Sequence, residues 1–178
     1  MTPSSPPTCK ADLRRTMRSL LKSASFHDEP VAKKITHWIS DHPELITIAM
    51  YAALPGEIDI LELISPGKSW ALPRVEGEKL VFHEVRSPDT DLKTGAFGIR
   101  EPLETLPIIP ADKIDAFFCP GLAFDARGGR LGRGRGFYDR LLENARPDAL
   151  KIGICHPFQL VPDVFAEAHD IRMDGIIC

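Results

Sequence analysis

The 178-residue chain suits one ordinary domain, and 43% hydrophobic residues are enough to bury a sizeable core. Its 22 basic and 25 acidic residues leave a net charge of −3, which argues against a dedicated nucleic-acid binder. The 13 glycines and 16 prolines are too dispersed for a collagen-like or disordered chain, and no repeat at a solenoid period is present.

In chain order, residues 1–8 (MTPSSPPT) read as a loose N-terminal arm and 9–178 as a single domain. From Cys9 to about Phe26, Leu13, Met17, Leu20 and Leu21 recur at helical spacing as one apolar stripe. Lys10, Arg14 and Arg18 recur every four residues on another face. A second helix is predicted across Val31–Ser40, with Pro30 near its first turn and Ile35, Trp38 and Ile39 turned inward. His42-Pro43 ends it. Ile46–Ala53 is short, apolar and strand-favouring, the pattern of a buried strand. A helix is predicted around Asp59–Ser65, and Trp70–Leu72 is a second strand stopped by Pro73. Lys79–Val85 alternates as a third, less buried strand, and residues 87–110, with four prolines, form a long surface connection. Ile114–Cys119 is a fourth strand, closed by Pro120-Gly121. After a glycine-rich loop a helix runs from about Phe137 to Asn144, and Lys151–Cys155 and Gly175–Cys178 are the last two strands. Strands alternating with helices predict a three-layer α/β/α single domain with a mainly parallel sheet. Ligands of such sheets collect at the carboxyl ends of the strands, where the loop after Cys119 emerges.

Cys9, Cys119, Cys155 and Cys178 form no C-x-x-C pair and no zinc spacing, so they read as isolated reduced thiols. The N-terminus lacks a basic segment leading into an apolar stretch. The longest apolar run, Leu45–Leu54, is far short of the roughly 20 residues of a membrane span. A cytoplasmic protein with no membrane partner is expected.

The informative segment is PGLAFDARGGRLGRGRGFYDRLL, Pro120–Leu142. Arginines 127, 130, 133, 135 and 140 face one nearby acid, Asp139, and glycines 128, 129, 132, 134 and 136 interleave with them. Glycine lets the backbone present successive N–H groups to an anion, arginine adds planar bidentate donors, and a helix starting near Gly136 adds its positive end. Three anion-binding devices thus converge on one loop. Neither G-x-G-x-x-G nor a P-loop is present, because Phe137 and Arg135-Gly136 stand where those motifs need other residues. Asp139 reads either as a first-turn acid complementing its helix or as a carboxylate for a phosphate-bound Mg²⁺. Asp170 and Asp174 read either as surface acids or as further ligands. On spacing alone, Lys10 and Arg14 form a solvated helix face, and Glu57 either caps a helix at Asp59 or belongs to a strand-end site. The six histidines form no cluster, and no nucleophile or general base stands out. That absence suits phosphoryl transfer, in which positioning and charge neutralisation do most of the catalysis.

The run Gly128-x-Arg130-Leu131-Gly132-Arg133-Gly134-x-Gly136-Phe137-Tyr138-Asp139 resembles the signature of the 5-formyltetrahydrofolate cyclo-ligase (methenyltetrahydrofolate synthetase) family. Lys10-x3-Arg14, Gly56–Asp59, Leu72-Pro73, Gly98–Pro102 and Asp170-x3-Asp174-Gly175 follow in the family's order, so the resemblance covers nearly all of 10–178. It implies a single α/β/α domain that converts 5-formyltetrahydrofolate and ATP to 5,10-methenyltetrahydrofolate, ADP and phosphate with Mg²⁺. The formyl oxygen attacks the γ-phosphate, N10 closes the ring, and phosphate leaves. By position, the resemblance assigns ATP to Lys10, Arg14, Arg130, Leu131, Gly132, Arg133, Gly134, Arg135, Gly136, Phe137 and Tyr138. It assigns Mg²⁺ to Asp139 and Asp170. Ala52, Leu54 and Glu57 would contact the reduced folate, with Arg133–Phe137 between the two substrates. Arg133 and Arg135 are the candidate catalytic residues, stabilising charge on the transferring phosphoryl group. The chain departs from the family at Phe137, where tyrosine is common, and at Ala52, where a larger apolar residue is usual. A monomer without nucleic-acid partners is expected. The alternative expectation is a sugar-phosphate isomerase or CoA-transferase-like enzyme using the loop as an anion site, and a third is an Arg/Gly-loop RNA binder, disfavoured by 7% aromatics.

Overall fold

The central strands are near-continuous apolar runs whose side chains point alternately to the two sides, so one sheet can bury both of its faces. The computed structural model describes residues 6–23, 27–77, 79–95 and 98–178. Helices α1 (Lys10–Ser23) and α2 (Glu29–Asp41) precede strands β1 (Thr47–Ala49), β2 (Ser69–Glu76) and β3 (Lys79–Val85). A one-turn α3 (Pro88–Asp91) and strands β4 (Leu92–Thr94), β5 (Arg100–Pro102) and β6 (Ile108–Ile109) follow. Then come β7 (Ala116–Pro120), β8 (Ala123–Phe124), β9 (Arg130–Leu131), α4 (Phe137–Leu142), β10 (Leu150–Ile154) and β11 (Gly175–Ile177). Among the described residues the main sheet has seven strands in the order β11-β10-β7-β1-β2-β3-β6. Pairing is parallel from β11 to β2 and antiparallel at β2–β3 and β3–β6.

Ile48, Trp70, Leu72, Phe118 and Ile152 bury one face of the sheet against Val31 and Ile35 of α2. Ala49, Ala71, Phe117 and Cys119 bury the other against Leu141 and Leu142 of α4. The result is the expected α/β/α sandwich. Helix α1 instead packs Leu13, Met17 and Leu21 on Leu122, Ala123 and Leu131, just beyond the carboxyl end of β7. Leu20, predicted in the same stripe, is 44% exposed. The four cysteines are free thiols, and burial pushes Cys119 and Cys155 up to about 12. Among the described residues no helix is long and apolar enough to cross a membrane.

Four local expectations change. The helix around Asp59–Ser65 is a single 3₁₀ turn, Leu61–Leu63. Ile58 and Ile60 are both buried, an extended period of two, and Asp59 Oδ1 accepts the Leu61 N–H at 3.0 Å. Strand β2 runs through Pro73, because its pairing with β1 ends at Ala71 and no neighbour there needs the missing N–H. The 87–110 connection carries α3, the antiparallel pair β4–β5 and the edge strand β6. Part of the glycine-rich loop is the β8–β9 hairpin. The predicted arm falls mainly outside the described residues, as do residues 24–26 of the first predicted helix.

The hairpin turn sits tightly on the segment before β11. Gly128 has φ +80, and a Cβ there would lie 2.3 Å from the Met173 carbonyl oxygen, itself part of the chain that bonds back through Met173 N to Gly128 O at 2.8 Å. Gly128→Ala is expected to destabilise the protein by about 2 kcal/mol or more, from the left-handed backbone and the clash together. Urea unfolding measures it, and a loss under about 0.5 kcal/mol would mean the turn relaxes freely.

Candidate active site

Strand β7 delivers the chain to the carboxyl edge of the sheet, and the β8–β9 hairpin returns it as Arg130-Leu131. Asp125 organises that hairpin. Its buried carboxylate accepts N–H groups from Arg127 (3.0 Å), Gly129 (3.0 Å) and Val164 (3.2 Å). The chain then crosses residues 132–136 to α4, whose N-cap Gly136 has φ +65 and leaves only 2.9 Å between a Cβ there and Arg140 NH1. With six residues, α4 is too short for the expected helix-end field to matter. Any anion affinity of this loop rests on its guanidinium and backbone N–H groups.

The loop forms one wall of a cleft of about 1020 Å³. Every residue that the resemblance assigns to the site lines it. Lys10 and Arg14 come from α1, Ala52, Leu54 and Glu57 from the turn after β1, Arg130–Tyr138 as an unbroken run with Asp139, and Asp170 from the segment before β11. Arg14 Nε donates to Gly132 O at 3.1 Å, and Arg18 donates to Arg133 O at 2.9 Å. From the other side, Arg133 Nε donates to Glu57 Oε1 at 2.9 Å. Glu57 Oε2 accepts the Leu54 N–H at 3.0 Å, which fixes the carboxylate. Residues Gly132 and Arg133 are thus held between α1 and the Glu57 turn. One guanidinium nitrogen of Arg133, NH2, is buried with no hydrogen-bond partner among the described residues, an unused donor in the wall of the cleft.

Burial sets the electrostatics. The Glu57 side chain is 6% exposed, and burial raises its carboxyl above the ordinary range despite the pull of Arg133. Burial also holds the Tyr51 and Tyr138 hydroxyls well above the usual phenol range. Arg130, with 4% of its side chain exposed, donates to Pro120 O (3.2 Å) and Asp139 Oδ1 (3.1 Å) and lies over the Tyr138 ring at 5.2 Å. Lys10 Nζ pairs with Asp170 at 2.5 Å and Glu167 at 3.1 Å. For Asp170 burial works upward, but the bonds from Lys10 and the Glu167 N–H outweigh it and leave the carboxyl below its ordinary value. Burial likewise opposes the charged Lys10, and its two carboxylates overcome that and raise it.

The two predicted Mg²⁺ ligands, Asp139 and Asp170, both line the cleft. Among the described residues no group of three or more His, Cys, Asp or Glu side chains is placed to hold a metal, and Asp139 and Asp170 are each paired with a different cation. Asp174 lies elsewhere, accepting the Lys151 N–H at 2.8 Å beside β10. Sequence reasoning passed over several lining residues. Arg18 shares the four-residue spacing of Lys10 and Arg14, a usable signal. Pro73, Val75, Leu80 and Ile99 add an apolar wall that only the pairing of β2 with β3 and the β5 segment brings there. Phe165 and Glu167 also line the cleft, without any local motif.

Comparison with known proteins agrees along the chain. Residues 7–178 match the sequence profile described as the 5-formyltetrahydrofolate cyclo-ligase family. A 5-formyltetrahydrofolate cyclo-ligase of Haemophilus influenzae is 34% identical over 139 residues, 73% of this chain and 74% of that protein. The Escherichia coli K12 protein of the same name is 32% identical over 140 residues, 74% and 76% of the two chains. The solved structure of Aquifex aeolicus 5,10-methenyltetrahydrofolate synthetase superposes with a TM-score of 0.80 at 32% identity, covering 94% of this chain and 88% of that one.

Proposed function

We infer the function from one premise: the chain belongs to the 5-formyltetrahydrofolate cyclo-ligase family. It is an enzyme of one-carbon metabolism that uses ATP to convert 5-formyltetrahydrofolate to 5,10-methenyltetrahydrofolate, with release of ADP and phosphate. The isomerase or CoA-transferase-like alternative is not supported by these matches. The observation that carries the site reading is the suspension of Gly132-Arg133 between α1 and Glu57. A group bound over 132–136 is reached by α1 cations from one side and by the Tyr51–Glu57 wall from the other.

In this reading the phosphates lie along Gly132–Gly136, approached by Lys10 and Arg14, with Leu131, Phe137 and Tyr138 shaping the floor. The folate lies against Ala52, Leu54 and Glu57. The formyl oxygen attacks the γ-phosphorus as the bond to ADP breaks; N10 then attacks the formyl carbon, the carbon–oxygen bond breaks, and the N10 proton ends on the departing phosphate. Arg133 and Arg135 neutralise charge on the transferring group, the largest contribution a protein makes to this chemistry. Glu57 orients Arg133. Ala52 and Phe137 leave the folate wall less bulky and without a hydroxyl at those two positions. Mg²⁺ fits the donor set as an ion carried by the nucleotide, which takes most of its ligands from phosphates and water and needs one or two carboxylates. Asp139, whose Oδ2 accepts no hydrogen bond among the described residues, would be one and Asp170 the other, the latter on release from Lys10. Bound there, the ion would neutralise phosphate oxygens. Residues 9–178 form the catalytic domain, acting as a cytoplasmic monomer.

Purified protein incubated with 5-formyltetrahydrofolate, Mg²⁺ and ATP is expected to form methenyl product, followed by absorbance, and to form none when ATP is omitted. Folded protein giving no ATP-dependent product would refute the reading.

A further inference from the structure

We propose that Phe165 is the stacking platform for the nucleotide base, an assignment that rests on the ATP reading above. Four phenyl or phenol rings line the cleft among the described residues: Tyr51, Phe137, Tyr138 and Phe165. Three are already engaged. Tyr51 is buried with its hydroxyl donating to Ile58 O at 3.0 Å, Tyr138 lies under Arg130, and Phe137 lies 5.4 Å from the Arg140 guanidinium. Phe165 packs against the cluster of Leu13, Met17 and Leu122, lines the cleft as well, and has no ring or cation partner among the described residues.

Its place along the cleft selects the ligand part. Phe165 precedes Glu167 and Asp170, the two partners of Lys10, so it belongs to the α1 side of the loop, opposite the Glu57 wall. A nucleotide whose phosphates follow Gly132–Gly136 and reach Lys10 continues toward Phe165 with its base. The backbone there is strained and pinned. Phe165 is the one non-glycine residue with positive φ among those described, at +59°. Its N–H donates to Asp163 Oδ1 at 2.7 Å, Arg127 pairs with the same Asp163 oxygen at 2.8 Å, and Asp125 Oδ2 accepts the preceding Val164 N–H at 3.2 Å. Such a conformation persists only where the surroundings over-determine it, and it is typical of ligand clamps. Here it holds an aromatic face in a fixed position, which suits a flat π surface such as adenine.

Calorimetric titration of wild type, Phe165→Leu and Phe165→Trp with Mg-ATP and with Mg-tripolyphosphate tests this. Leucine keeps the packing on Leu13 and Met17 and removes the π face. Phe165→Leu is expected to weaken ATP about tenfold, the scale of one lost base stack, with tripolyphosphate affinity and melting temperature unchanged. The KM for ATP should rise while that for 5-formyltetrahydrofolate stays put. Phe165→Trp should keep ATP affinity and show indole quenching by ATP but not by tripolyphosphate. Unchanged ATP affinity in the leucine variant, or equal loss of both ligands, would overturn the assignment. Wild type that binds tripolyphosphate but not ATP would overturn it too, whereas wild type that binds neither would take down the ATP reading beneath it.

Discussion

Arg133→Ala is expected to lower kcat by about 100- to 1,000-fold, the usual cost of removing one donor aimed at developing charge. Its Nε is held by Glu57 while NH2 is buried without a partner among the described residues, so one side of the guanidinium positions it and, in the proposed reading, another meets the substrate. The substitution also has a stability side. It leaves the Glu57 carboxylate buried with the Leu54 N–H as its hydrogen-bond donor, so burial pushes its carboxyl further up. Because the Arg133 side chain is 35% exposed, the cost is about 1–2 kcal/mol, below that of a fully buried pair. Glu57→Gln separates the two effects. In the wild type Glu57 is raised in the folded state, so its contribution is complete at acid pH and declines as pH rises through that raised value. Glutamine removes this decline and leaves neutral-pH stability within about 1 kcal/mol, yet loosens Arg133 and lowers kcat about tenfold. The double variant should recover stability but not turnover. Steady-state rates and urea melts across pH read both, and near-normal turnover of Arg133→Ala would exclude its catalytic role.

Asp125→Ala carries the largest expected stability loss, about 3–5 kcal/mol, because three N–H groups lose a buried acceptor at once and Arg127 loses a partner. For a chain of this size that corresponds to roughly 10 °C in Tm. Asp125→Asn keeps one acceptor oxygen and should lose about half as much. Burial alone would raise this carboxyl, but the N–H groups of Val164, Gly129 and Arg127, with the Arg127 side chain, outweigh burial and lower it. The sign follows from linkage: the folded state favours the carboxylate, so the stabilisation is complete above about pH 4 and is lost as pH falls through the depressed folded value. Wild type should therefore lose more stability than Asp125→Asn between about pH 5 and pH 2. A loss below about 1 kcal/mol in Asp125→Ala at neutral pH would show that water replaces the carboxylate.

Local signals located the parts that carry their own pattern. The i, i+4, i+8 spacing of Leu13, Met17 and Leu21 marked α1, and short apolar runs marked β7 and β10 close to where they lie, whereas the run Ile46–Ala53 overran the three-residue β1. The arginine–glycine run named its own loop, since few purposes other than anion binding need that composition between a buried strand and a helix. What local pattern misjudged was settled by partners distant in sequence. Pro73 stops a strand only where a neighbour needs its N–H, and here β1 has already ended. Asp174, read as a possible metal ligand, is turned toward the Lys151 N–H by the parallel pairing of β10 and β11. Asp125 carries no local signal of its role, because its donors include Val164, 39 residues away.

By itself, then, the amino-acid sequence determined the sandwich, the order of its main helices and strands and the arginine–glycine make-up of the loop after β7, because periodicity and composition act over a few residues. Only the tertiary structure decided that Lys10, Arg14, Glu57, Arg133 and Asp170 face one cleft, and that Arg133 is suspended between α1 and Glu57. It also decided that Arg130 and Lys10 are each held by a carboxylate from another segment. Those relations depend on burial and on cross-chain hydrogen bonds, which have no counterpart in the spacing of residues along the chain.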